Sequence, residues 1–265
     1  MDVGGADILS WLQSAGKVFR VFDGQDSGLV SYGLEVPGGK WFVKYADREP
    51  QISHLRNAEA FNSVVKSKYM PRPLGSLNLA SGYALVYEWV DGEVLYSPEF
   101  RGQSGRDNPL SPYYRFVHLP VSAIIDVLNA VYELHAEIES KGFVAVDFYD
   151  GCIIYDFSRH RVHFCDFDHY AKGPFVLATD RLFGSSRFMA PEESVRGSVI
   201  DHRTNVYTMG AAAFAFLANA SRAREHWRAT DQLFEVAGKA TSQDRGQRHE
   251  SINQFYEEWK KALDR

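Results

Sequence analysis

The chain has 265 residues, 45% of them apolar and 24% charged, which is enough for a sizeable core and excludes disordered, collagen-like and low-complexity classes. A formal net charge of −5, with both signs mixed along the chain, argues against a broad nucleic-acid footprint. Two cysteines, Cys152 and Cys165, are too few for a disulfide framework and match no common zinc spacing, so both read as reduced thiols of a cytoplasmic protein.

In chain order, MDVGGADILSWLQSAG lacks a basic stretch followed by a long apolar core and does not read as a secretory signal. VFRVFD, SYGLEV and KWFVKYA alternate in polarity and are separated by DGQDSGLV and PGG, which predicts three consecutive antiparallel strands. HLRNAEAFNSVVKS sets Leu55, Ala58, Phe61, Asn62 and Val65 at helical spacing. YMPRPLGS breaks that pattern, and SGYALVYEWVDGE supplies another strand and a turn. Residues 97–120, rich in Gly, Pro, Ser and Asn, read as an irregular connection. The apolar stripe from Ile124 to Ile138 predicts a long helix closed by Gly142. CIIYDF and VHFCDF predict a hairpin turning at SRHR. VYTMGAAAFAFLA, QLFEVAGKA and SINQFYEEWKKAL predict further helices. The first of these reads as buried rather than membrane-spanning, since no run approaches ~18 consecutive apolar residues. The change from strands to helices predicts an α+β chain with a strand-rich lobe over 1–90 and a helical lobe over 91–265.

Candidate chemistry lies in the order of a few charged residues. Lys44 is a lone charge among large apolar neighbours in its strand and needs a partner, for which Glu59 in the following helix is the candidate. Such a pair positions an ammonium on nucleotide phosphates. Asp147 and Asp166 flank the hairpin, placing one carboxylate for an attacking hydroxyl and the other for magnesium, which prefers carboxylate and phosphate oxygens.

With these residues in place the chain resembles the protein-kinase-like superfamily, and within it the bacterial eukaryotic-like Ser/Thr protein kinases. WFVK resembles the V-A-I-K strand, LVYEWVDGE the last small-lobe strand and hinge, VAVDFYDGC the H-R-D-x-x-x-x-N loop, DFD the D-F-G and GSSRFMAPE the segment ending in A-P-E. NVYTMG resembles the D-x-W-x-x-G region, with Asn205 at its aspartate. The resemblance implies a two-lobed protein-kinase-like fold with an antiparallel-sheet N-lobe and a mainly helical C-lobe, and ATP and Mg2+ as cofactors. By the same resemblance Lys44 contacts the α- and β-phosphates, Asp147 acts on the acceptor hydroxyl and Asp166 holds magnesium. Glu88 and Val90 offer backbone groups to adenine, Gly24 and Gly28 belong to a phosphate-covering turn, and Arg248 pairs with Glu192.

Several positions depart from the family pattern. Cys152 stands where the family's metal-binding asparagine does, and a neutral thiol is a poor ligand for a hard cation. Asp168, at the glycine of D-F-G, and Asp150 are the carboxylates that would replace it. Ala145-Val146 replaces the H-R pair, Tyr149 stands at the usual lysine, and Gly24, Gly28 and Gly33 do not keep the G-x-G-x-x-G spacing. Three readings follow: a kinase acting on a hydroxyl, expected to be Ser or Thr of a protein; a pseudokinase that binds nucleotide or scaffolds; and a small-molecule kinase, against which GSSRFMAPE counts. No nucleic-acid or membrane partner is expected.

Overall fold

Ahead of the first expected strand the chain forms a helix that pattern reading passed over, α1 (Ile8–Ala15). Asp7 caps it, its side chain accepting the Ser10 N–H at 3.0 Å, and Ile8, Trp11 and Leu12 form its buried stripe. A computed structural model describes residues 5–24 and 27–264, so the middle of the expected phosphate-covering turn, Gln25 and Asp26, lies outside the described residues. The three predicted strands follow as β1 (Lys17–Phe22), β2 (Val30–Val36) and β3 (Gly39–Ala46), then α2 (Gln51–Val64), β4 (Pro73–Leu79) and β5 (Gly82–Glu88). They form one antiparallel sheet of order β1-β2-β3-β5-β4. β4 escaped prediction because its Pro and Gly content reads as loop; Pro73, the first residue of an edge strand, needs no ladder donor there.

The period of two in β3 assigns its side chains to opposite faces. Val43 and Tyr45 join Leu34, Leu77, Ala84 and Val86 under α1. Lys44 and Ala46 point the other way, where Leu55 and Ala58 of α2 pack on Ala46, Tyr83 and Leu85. This arrangement is why a lysine sits, 8% exposed, inside an apolar strand.

The chain divides into two compact units, the first comprising Met1–Gly92 together with His163–His169, the second Glu93–Val162 and Tyr170–Arg265. The first boundary falls two residues beyond the expected lobe boundary, and the sequence reading did not anticipate the return of His163–His169 to the first unit. Phe167 stacks on Phe61 of α2 at 4.9 Å, and Asp166 and Asp168 bind Lys44, which ties that segment there.

The second unit contains β6 (Glu93–Val94), α3 (Gly102–Arg106), α4 (Pro112–Val117), α5 (Val121–Ser140), β7 (Phe143–Val144), β8 (Ile153–Asp156) and the start of β9 (Arg161–Phe164). It continues through β10 (Ala171–Lys172), β11 (Phe175–Val176), β12 (Val199–Ile200), α6 (His202–Leu217), α7 (Asp231–Ala240) and α8 (Ile252–Leu263). The 97–120 stretch thus holds two short helices rather than an irregular connection. α6 is buried from Thr204 to Leu217 and capped by Asp201, whose side chain accepts the Arg203 N–H at 2.9 Å. Tyr132 of α5 meets Phe255 and Trp259 of α8 at 4.8 and 5.3 Å, fixing the helical core. The fold is α+β, with a five-stranded antiparallel sheet and eight α-helices among the described residues. Among those residues no helix is long and apolar enough to cross a membrane.

Candidate functional site

Lys44 is held by two carboxylates more than a hundred residues away. Its Nζ lies 2.7 Å from Asp166 Oδ1 and 2.5 Å from Asp168 Oδ2. Burial disfavours the ammonium, but the two carboxylates outweigh it and hold the Lys44 pKa well above its ordinary value. Burial also pushes Asp168 up, and Asp166 adds to it, while Asp166 stays below the usual carboxylate range because Lys44 overcomes the effect of burial. The Asp166 side chain is 40% exposed and that of Asp168 5%, so Asp166 stays open to solvent while Asp168 is enclosed beside Lys44.

The expected Lys44–Glu59 pair is not what the fold makes. Leu55, Ala58, Phe61 and Asn62 define the buried stripe of α2, and Glu59 falls outside it on the exposed side. There its carboxylate accepts the hydroxyl of Tyr83. The α2 residue that reaches the cluster is Asn57, whose Nδ2 donates to the Asp168 carbonyl at 2.8 Å. His54, Asn57 and Phe61 recur at three- and four-residue steps and meet His169, Asp168 and Phe167 in turn. That second stripe is legible in the spacing, but only once its partners are known.

The other expected nucleotide residues are placed as follows. Gly24 and Gly28 flank the β1–β2 turn; Gly28 has φ +73°, a left-handed conformation that glycine adopts without strain. Gly33 instead sits within β2 under the Phe19 ring, and a Cβ there would lie 2.6 Å from Phe19 Cζ, so its role is packing. Glu88 ends β5, donates its N–H to the Arg72 carbonyl at 2.9 Å and pairs its side chain with Arg72 at 3.0 Å. Val90 follows, half-buried. On the Lys44 face, Phe22, Phe42 and Trp89 cluster with ring centroids 5.9 to 6.5 Å apart.

In the second unit, the loop carrying Asp147 is fixed at both ends. Asn205 of α6 clamps Ala145, accepting its N–H and donating to its carbonyl, both at 2.7 Å. Phe148 anchors the loop against His135 at 4.5 Å. His135 donates from Nδ1 to the Val131 carbonyl at 2.7 Å and accepts the Tyr170 hydroxyl at 2.9 Å; burial lowers its pKa to about 4, so it is a neutral core residue. Between these anchors Asp147 has φ +67°, and in the first unit Asp166 has φ +69°. Left-handed backbone is uncommon outside glycine, costs energy and gathers at functional sites. Both aspartates singled out from sequence order carry it.

Cys152 is not placed as a metal ligand. Its thiol is fully buried and donates to the Asp147 carbonyl at 3.3 Å, closing the loop from within. Asp150 is not open to a cation either: it is buried and paired with Arg187, which lies over the Tyr113 ring at 5.0 Å. Arg187 belongs to GSSRFMAPE but was not singled out there, because an arginine in a loop carries no periodic signal.

A small recess of about 10 Å³ opens beside Asp147, lined also by Phe183, Gly184, Met189 and Glu193. Burial raises Glu193 to about 8, against the Ala190 N–H that its carboxyl oxygen accepts at 2.6 Å. The folded state therefore keeps a proton that the unfolded chain releases near pH 4.5. Its stabilisation is complete below that pH and is lost as pH rises through about 8. Glu193→Gln keeps the acceptor and removes the titration, so between pH 5 and 8 the wild type should lose a few kcal/mol relative to the variant in urea titrations.

Finally, Arg248 and Glu192 form a buried two-pronged pair, with Nη1 to Oε1 at 2.7 Å and Nη2 to Oε2 at 3.0 Å. Arg248 also donates to the carbonyls of Ser242 at 2.8 Å and Arg203 at 3.1 Å, so it ties the 190–194 turn to the start of α6 and the approach to α8. In comparison with known proteins, no family model matches the chain and no curated protein sequence matches it significantly.

Proposed function

We propose that this chain is a cytoplasmic, ATP-dependent phosphotransferase of the protein-kinase type, with a two-lobed protein-kinase-like fold, that transfers the ATP γ-phosphate to a hydroxyl, expected to be Ser or Thr of a protein. The observation that carries this reading is the Lys44–Asp166–Asp168 cluster: the lysine and the aspartate singled out for phosphate and metal chemistry meet at 2.7 Å across 122 positions of sequence. Asp166, whose side chain is 40% exposed although it pairs with Lys44, suits magnesium, which takes one or two protein carboxylates and completes its shell with phosphate oxygens and water. Asp166, with Asp168 enclosed beside Lys44, would hold that ion. When bound, it supplies charge that neutralises the transferring group.

Lys44 contributes a positive charge, kept against burial by the two carboxylates, for the phosphates. The rings of Phe22, Phe42 and Trp89 on the same sheet face offer a planar base a stacking surface. Asp147, held in its left-handed conformation, orients the acceptor hydroxyl and takes its proton as the new oxygen–phosphorus bond forms and the bond to ADP breaks.

One observation favours the nucleotide-binding pseudokinase as a second reading. The Cys152 thiol is turned onto the Asp147 carbonyl, so the loop supplies no metal ligand at that position. Thermal melting with ATP, with and without magnesium chloride, paired with ADP release against a panel of Ser/Thr proteins, separates the two. The kinase reading expects a melting temperature several degrees higher at saturating ATP and magnesium, with magnesium-dependent ADP release. Stabilisation with no release across the panel removes the protein-kinase reading in favour of the pseudokinase or a small-molecule kinase, and no response to nucleotide removes all three.

A further inference from the structure

Beside the Asp147 recess, among the described residues, stands a cation that forms no ion pair. Arg181 is exposed, and its guanidinium donates to the Gly184 carbonyl and contacts Met189 Sδ, both at 2.9 Å. Gly184 and Met189 are themselves walls of the recess, and a methyl added at Gly184 would lie 3.6 Å from Asp147 Oδ1. The guanidinium is therefore one residue's width from the carboxylate that the proposed reaction uses. The Thr179 hydroxyl donates to the Arg181 backbone carbonyl at 3.1 Å.

Of two neighbouring carboxyls, neither forms an ion pair with Arg181. Asp180 is paired with Arg196 at 2.9 Å. Glu193, on the recess wall, keeps its proton through neutral pH because it is buried. Among the described residues Arg181 has no ion-pair partner, and the two residues its guanidinium touches, Gly184 and Met189, line a recess that also holds Asp147, Phe183 and Phe188. A guanidinium presents a planar fork that matches a carboxylate.

From this geometry we infer that Arg181 is a specificity-determining residue that selects acceptor peptides bearing an acidic side chain next to the reacting hydroxyl. The inference rests on the phosphotransferase reading and names its substrate class: serine or threonine in an acidic peptide. The hydroxyl lies toward Asp147, and the acidic side chain lies at the rim on Arg181.

The test uses the full chain and serine peptides that differ only in carrying Asp, Ala or Lys at one of the four positions flanking the serine. Binding is read by fluorescence anisotropy and transfer by phosphopeptide formation, for wild type, Arg181→Lys, Arg181→Ala and Arg181→Glu. At least one flanking position should favour Asp over Ala by about tenfold in binding, the effect of one charge-assisted hydrogen bond. The preference should shrink between 50 and 500 mM salt (about 14 and 4 Å of screening length), since the cation is exposed. Arg181→Lys should keep part of it, Arg181→Ala should abolish it, and Arg181→Glu should turn it toward Lys. That reversal cannot come from loosening of the loop. Equal binding of all peptides, a preference that survives Arg181→Ala, or no binding by any peptide overturns the inference. Binding selectivity that follows Arg181 without any transfer leaves the inference standing as a peptide-binding preference and removes the phosphotransferase reading instead.

Discussion

Arg248→Ala should destabilise the second unit by about 3–5 kcal/mol, the cost of removing the two-pronged partner of a buried carboxylate that keeps only the longer Arg245 contact at 3.6 Å. Glu192 is 7% exposed and its partner is fully buried, so water cannot replace the guanidinium. Burial opposes the charged form of Glu192, and the Arg248 hydrogen bonds overcome that and keep its pKa below the usual value. Two backbone carbonyls lose their donor as well. Urea unfolding should show a lower midpoint with an unchanged slope, since the surface exposed on unfolding stays the same. Arg248→Lys should recover only part of the loss, because a point charge cannot span both oxygens. Replacing both partners together, Arg248→Met with Glu192→Leu, should cost less than Arg248→Ala alone, since no buried charge remains. A single variant as stable as wild type would contradict the role assigned to this pair.

The second large effect is on turnover. Asp147→Asn should lower kcat by about 10²- to 10⁴-fold, the range expected for losing a positioned general base. Affinity for ATP should be unchanged, because the groups assigned to the phosphates are Lys44 and Asp166. Asparagine tolerates left-handed backbone as well as aspartate does, so the φ of +67° survives the change and the melting temperature should not move. Asp147→Ala would mix in backbone strain and is the poorer test. Turnover equal to wild type in Asp147→Asn would remove Asp147 from the chemistry.

What the sequence made legible was periodicity and order. The alternation in WFVK placed Lys44 on a strand, the stripe from Ile124 to Ile138 placed α5, and the succession of Lys44, Asp147 and Asp166 picked out residues that the fold holds in unusual backbone or buried pairs. The spacing in α2 even contained the answer that was misread. Glu59 is the charged residue, so it drew the pairing to Lys44, whereas the neutral Asn57 lies on the stripe that meets Asp168. Charge complementarity alone could not choose between them, because a helix face is set by 100° per residue and the acceptor, a backbone carbonyl, has no signature in the sequence. Arg181 and Arg187 were illegible for a related reason: they act from loops, where no repeat predicts direction. Helix α1 was overlooked because eight residues with a single apolar stripe give little signal beside the strands that follow.

The return of His163–His169 to the first unit has a consequence for how this chain can be cut. The backbone crosses from one unit to the other at Gly92, Val162 and His169, so no single cleavage separates them as independent pieces. A fragment ending at Gly92 would contain the sheet and Lys44 but neither Asp166 nor Asp168, and would bury an ammonium with no carboxylate beside it. The smallest piece that keeps Lys44 paired must extend through residue 168. The pairing of Lys44 and the 93–162 part of the second unit are thus inherited as one stretch of chain, and the two units cannot be exchanged between proteins by a single junction.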